Sequence, residues 1–113
     1  MPKLKLLRDA YKPKEYQIQA SIMRFLDSKK IINWSSHGVP PFIPHPSSVG
    51  VPDILGIIPG GGRILGIEVK RPGNEPTIAQ LAFMEAIRKS GGVAFVATSI
   101  EDVESQLEVV RDK

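Results

Sequence analysis

The segment GVPDILGIIPGGGRILGIEVK, Gly50 to Lys70, decides how this chain folds. Two apolar, β-branched runs, residues 51–58 and 63–70, flank the four residues PGGG. A short Gly-rich connection between such runs reads as a β-hairpin. With a four-residue loop, Ile58 pairs with Arg63, and counting back along both strands places Asp53 directly opposite Glu68. Side chains alternate along a strand, so Lys70 shares the face of Glu68. A slip of one residue would turn every side chain to the other face, so this geometry depends on the register.

Two carboxylates opposite each other, with Cβ atoms about 4.5–5.5 Å apart, destabilise a sheet. A protein that keeps them is expected to supply a counter-charge, and Lys70 alone cannot neutralise two carboxylates. A divalent cation can. Carboxylate oxygens are hard ligands suited to Mg²⁺ or Mn²⁺, and such a site beside a lysine suits phosphodiester hydrolysis. A zinc set is not available, because the only histidines are His37 and His45, both in a Pro-rich loop, and there is no Cys. The bland alternative is that Pro52-Asp53 begins a turn and Glu68-Val69-Lys70 is a solvated strand face. Spacing alone leaves both readings open; the apolar neighbours Ile54, Ile58, Ile64 and Ile67 favour the buried pair.

Upstream, Pro13 can open a helix from about residue 14 to 28, with Ile18, Ile22, Phe25 and Leu26 on one face. Residues 31–34, IINW, are a short strand candidate. Residues 35–50, rich in Pro, Ser and Gly, read as a long loop. Downstream, RPGNEP breaks the chain before a second helix over residues 78–90. Thr77 and Gln80 have capping-box spacing at its start, and Gly91 fits the left-handed position at its end. VAFVAT is a buried strand, and Ser99 can cap a last helix through about residue 110. The order is helix, strand, hairpin, helix, strand, helix (αβββαβα). The strand–helix–strand unit over residues 63–98 should be parallel, giving an α/β domain with a small mixed sheet flanked by helices.

The length, 113 residues, suits one domain spanning 1–113, and 42% hydrophobic content is ordinary for a globular chain. No apolar run is long enough to span a bilayer, and the basic start is too polar for a signal peptide. With no cysteine, these features point to an intracellular, cytoplasmic protein. The net charge of +3 is mild, but Lys3, Lys5, Arg8, Lys12 and Lys14 gather in and beside an N-terminal arm, residues 1–13, against only Asp9. Such an arm is attracted to phosphates or is simply a solvated terminus.

VPD followed by GIEVK after a hairpin resembles the PD-(D/E)XK nuclease signature, here Pro52-Asp53 and Glu68-Val69-Lys70. GVPDILGI, IEVKRPGNEPTIAQLAFMEAIRKSGG and VAFVATSIEDV are similar, more narrowly, to the VRR-NUC branch, over residues 15–107. The resemblance implies a restriction-endonuclease-like core in which Asp53, Glu68 and the Val69 carbonyl ligate Mg²⁺ or Mn²⁺ and Lys70 is the catalytic lysine. It matches Glu15 to an acidic position near the metal, although an acid at a helix start also suits the helix dipole. It matches Gln80 to a glutamine beside the active site, a role compatible with the capping box. Arg71, with the basic arm, is expected on the DNA backbone, and His37 and His45 are loop residues or phosphate contacts. A stand-alone domain of this kind resembles phage and bacterial members similar to Holliday-junction resolvases. That implies a two-fold dimer acting on branched DNA. Leu6, Leu7, Tyr11 and the loop tip VPPFIP are interface candidates. Two other functions stay open: a flap, nicking or restriction-type nuclease, and a catalytically silent DNA-binding module. The intact Asp53, Glu68 and Lys70 set speaks against silence, because a binding module has no use for carboxylates that repel phosphate.

Overall fold

The computed structural model describes residues 13–37 and 49–111. Their order is α1 (Glu15–Ser28), β1 (Ile32–Ser35), β2 (Ile54–Ile58), β3 (Arg63–Val69), α2 (Ile78–Lys89), β4 (Val93–Ala97) and α3 (Ile100–Arg111). The hairpin forms in the register its loop dictates, with Ile58 opposite Arg63 and Ile54 opposite Ile67. The strands lie in chain order, β1-β2-β3-β4. The first three are antiparallel, while β4 runs parallel to β3 after the α2 crossover. The result is the small mixed sheet flanked by helices that the sequence pattern predicts.

One sheet face carries the larger core. Ile18, Ile22 and Leu26 recur at helical spacing on α1 and pack with Ile54, Leu65, Ile67, Val69 and Phe95, and with Val103 of α3. The opposite face is covered by α2, whose Met84 and Ile87 meet Ala94, with Ile64, Phe83 and Val96 beside them. This second face also carries Glu68, two residues from Gly66 and four from Ile64. Among the described residues no helix is long and apolar enough to cross a membrane.

The boundaries differ from the sequence expectation in small ways. Lys14 is the N-cap of α1 rather than its first helical residue, and the Gln17 side chain accepts its N–H at 2.8 Å. Ser35 ends β1 instead of opening the loop. The β2 ladder begins only at Ile54, so Pro52, which has no N–H to offer, and Asp53 precede it. At the end of α2, Gly91 takes φ +92° as expected, and Gly92 N–H returns to Ile87 O at 2.9 Å. Gly50 has the structural consequence nearest the site. With φ +83°, its backbone lies so close to α2 that a Cβ would sit 2.4 Å from Ala79 O. Only glycine allows this approach, which brings the residues before β2 against the first turn of α2.

Candidate active site

Asp53 and Glu68 face each other where the β2–β3 ladder opens, one step beyond the pair Ile54 and Ile67. Asp53 is fixed by three contacts. Its carbonyl accepts the Ser36 N–H at 2.9 Å, which extends the β1–β2 pairing past the end of β1. Its Oδ2 accepts the Val69 N–H at 2.8 Å, and its Oδ1 lies 2.6 Å from His37 Nε2. Glu68 is 1% exposed. Its Oε1 accepts Gln80 Nε2 at 3.0 Å and lies 3.7 Å from Lys70 Nζ. The Lys70 side chain is itself only 14% exposed, and its backbone N–H is tied to Ala97 O at 3.1 Å.

Gln80 closes the capping box that its spacing predicts, and its side chain also reaches Glu68. Its backbone N–H goes to Thr77 Oγ1 at 3.1 Å and its Oε1 accepts the Thr77 N–H at 2.8 Å, closing the capping box. The remaining amide nitrogen is thereby aimed at Glu68. The cap that starts α2 is also the clamp on the buried carboxylate.

Two buried polar atoms have no hydrogen-bond partner among the described residues, Glu68 Oε2 and Ser36 Oγ. Orphans of this kind are rare in native proteins and call for a water or an ion. An ionised Glu68 has nothing to donate, and Asp53 beside it offers only another acceptor. Burial, the proximity of Asp53 as a proton acceptor, and the Asp53 charge push the Glu68 pKa up to about 8; Lys70 opposes this and the Glu15 charge adds to it. Burial is the larger cause, and protonated Glu68 can also donate toward Asp53, which adds to it.

A stability profile follows from that shift. The folded-state pKa lies above the ordinary value of 4.5, so the folded chain binds more protons than the unfolded chain between the two. Glu68 therefore contributes its full stability below about pH 4.5, and that contribution is lost as the pH rises toward about 8. In thermal unfolding followed with a chelator present, the Tm difference between Glu68→Gln and wild type should widen in favour of the variant across that window. A pH-independent difference would refute the perturbed carboxyl.

The other expected residues fall out as follows. Glu15 is exposed at the first turn of α1; its charge is felt at Glu68, yet among the described residues no three His, Asp or Glu side chains converge on one point. Lys14 is exposed and Arg71 is half-buried just after the site. Lys3, Lys5, Arg8, Lys12, Leu6, Leu7, Tyr11, His45 and the VPPFIP tip lie outside the described residues. His37 is the residue that sequence reasoning missed as a partner of Asp53. Its position becomes readable only once β1 is paired to β2, which places Ser36 opposite Asp53.

Two carboxylates and one orphaned, buried oxygen fit a hard, oxygen-seeking divalent cation. The comparisons agree with the fold and the motif. The family model of the VRR-NUC domain matches residues 7–101. A solved structure of a VRR-NUC domain is 28% identical, with a TM-score of 0.61 over 83% of this chain and 94% of its own. No curated protein matches the chain. With its αβββαβα order, its opposed carboxylates and this match over most of its length, the chain belongs to the VRR-NUC family of nuclease-type domains.

Proposed function

We propose that the chain is an endodeoxyribonuclease that requires Mg²⁺ or Mn²⁺, hydrolyses phosphodiester bonds in branched DNA such as Holliday junctions, and works as a homodimer. The observation that carries this reading is the buried, unpartnered Glu68 Oε2 facing Asp53, with Lys70 beside them. Asp53, Glu68 and the Val69 carbonyl would hold the ion. When bound, it would polarise the scissile phosphate and lower the pKa of a coordinated water.

The chain's own residues have separate tasks. The Val69 N–H and His37 hold the two oxygens of Asp53 in one orientation. Gln80 holds Glu68, so that its second oxygen points to the open position. Among the described residues the Lys70 ammonium, with three donors, makes one long contact, to Glu68, which leaves donors for the attacking water and for a phosphate oxygen. Attack in line with the leaving 3′ oxygen gives a 5′ phosphate. The basic arm and Arg71 would neutralise backbone phosphates, so binding should weaken steeply with salt.

The test is product analysis on end-labelled four-way junction, 5′ flap and linear duplex, in Mg²⁺ and then Mn²⁺. Paired, symmetric nicks on the junction support a dimeric resolvase. Cutting confined to the flap or duplex would keep the active site and replace the junction substrate. Metal-dependent cutting of none of them would overturn the reading in favour of a binding module.

A further inference from the structure

Among the described residues, the sheet face that carries Glu68 and Lys70 is only half covered. Over β3 and β4, α2 packs on Ile64 and Val96 and partly buries them. Toward β1 the same face continues through register partners: Ile64 pairs with Ile57, Ile57 with Ile32, and Leu55 with Trp34. There Ile32 is 66% exposed, Trp34 41% and Ile57 39%. These are large apolar side chains on an outward-facing sheet surface, and no described element lies over them.

Their position relative to the carboxylates is fixed by the ladder. Leu55 is two residues from Asp53 on one strand, about 7 Å, and Trp34 is one strand further, about 5 Å across. The Cα of Trp34 therefore lies roughly 8 Å from that of Asp53, about two stacked base steps at a 3.4 Å rise. A strand whose phosphate lies over Asp53 and Glu68 and which runs toward β1 brings a neighbouring base to Trp34.

We propose that Trp34, flanked by Ile32 and Ile57, is a stacking platform for an unpaired nucleobase of the strand being cut, next to the scissile phosphate. The proposal rests on the nuclease reading for the position of the phosphate and adds a determinant of substrate choice. A base can lay its face on an indole only when it has left its own stack, so a splayed or single-stranded nucleotide gains this contact and a continuous duplex does not. A second copy of the chain is a poorer occupant. Seated flat on this face, it would close the mouth of the site at Asp53. The three side chains also expose only on the order of 300 Å², against the roughly 800 Å² per partner of a standard interface.

Trp34 is the single tryptophan in the chain, so its emission reports on the platform directly. The experiment titrates full-length Glu68→Gln, with a chelator present, with a single-stranded oligothymidylate, an abasic strand of equal length and a blunt duplex. Binding is followed in parallel by anisotropy of the labelled DNA. Quenching of Trp34 by the oligothymidylate, and not by the bound abasic strand or duplex, is the expected result. Trp34→Ala should weaken single-strand binding about tenfold with duplex affinity unchanged, and Trp34→Phe should restore most of it. Single-strand binding without quenching, or no single-strand binding, would overturn the proposal. So would a Trp34→Ala variant that falls from dimer to monomer in sedimentation, because a second copy would then cover the face. If wild type cleaves in Mg²⁺ but Trp34 is silent, the platform alone fails. If Trp34 is quenched but nothing is cleaved, the nuclease reading fails and the platform stands as a binding site.

Discussion

Replacing Glu68 by Gln is expected to cut the rate of DNA cleavage by about a thousandfold or more while the fold is retained. The substitution keeps shape and one oxygen. That oxygen can still accept from Gln80 at the present 3.0 Å. An amide nitrogen in place of the orphaned Oε2 can donate toward Asp53, so a buried repulsion becomes a buried hydrogen bond. Removing one preorganised charge-stabilising group from an active site costs on the order of 10²–10³ in kcat, and a carboxylate that also holds the metal carries more than one such contribution. Thermal unfolding supplies the control. In wild type, saturating Mg²⁺ should raise Tm, because the ion binds only the folded chain and relieves the carboxylate pair. The variant should show a higher Tm than wild type with a chelator near pH 8, and little response to Mg²⁺. Cleavage at the wild-type rate in Glu68→Gln would remove Glu68 from the chemistry.

That contrast explains why the site was so legible in the sequence. The PGGG loop has four residues between two apolar runs, so one register satisfies both the turn and the burial of alternate side chains, and Asp53 then has to face Glu68. The capping-box spacing of Thr77 and Gln80 announced the start of α2, and the same geometry delivered the Gln80 amide to Glu68. What could not be read depends on contacts between segments distant in sequence. His37 is 16 residues from Asp53, and only the β1–β2 pairing brings them together. Glu15 has the right residue type at a helix start, yet the placement of α1 leaves it exposed and felt only through its charge. The alternation in IINW shows two faces for β1 but not which one α2 leaves open. That depends on the close approach of α2 over β3 and β4, a packing result that no local pattern encodes.

Substituting Met for Lys70 is expected to lower kcat by about 10²–10³-fold, with a much smaller loss in metal affinity. Met keeps most of the length of a stem that is nearly buried and removes only the charge, so packing is preserved. Two effects of the missing ammonium must be separated. Lys70 pulls the Glu68 pKa down, so without it Glu68 holds its proton to higher pH and the metal competes less well at neutrality. That part is recoverable: raising the pH above about 8, or raising the Mg²⁺ concentration, should restore occupancy of the site in Lys70→Met. The second effect is not recoverable by either route. If Lys70 donates to the attacking water or to the developing charge on the phosphate, kcat at saturating metal stays depressed at every pH, while wild type reaches its plateau as Glu68 ionises. Calorimetric Mg²⁺ affinities and single-turnover rates from pH 6 to 9 distinguish the two. A variant whose saturated rate climbs back to that of wild type would make Lys70 a positioning residue that acts through Glu68. A rate that stays low with the metal fully bound places the ammonium at the reacting phosphate.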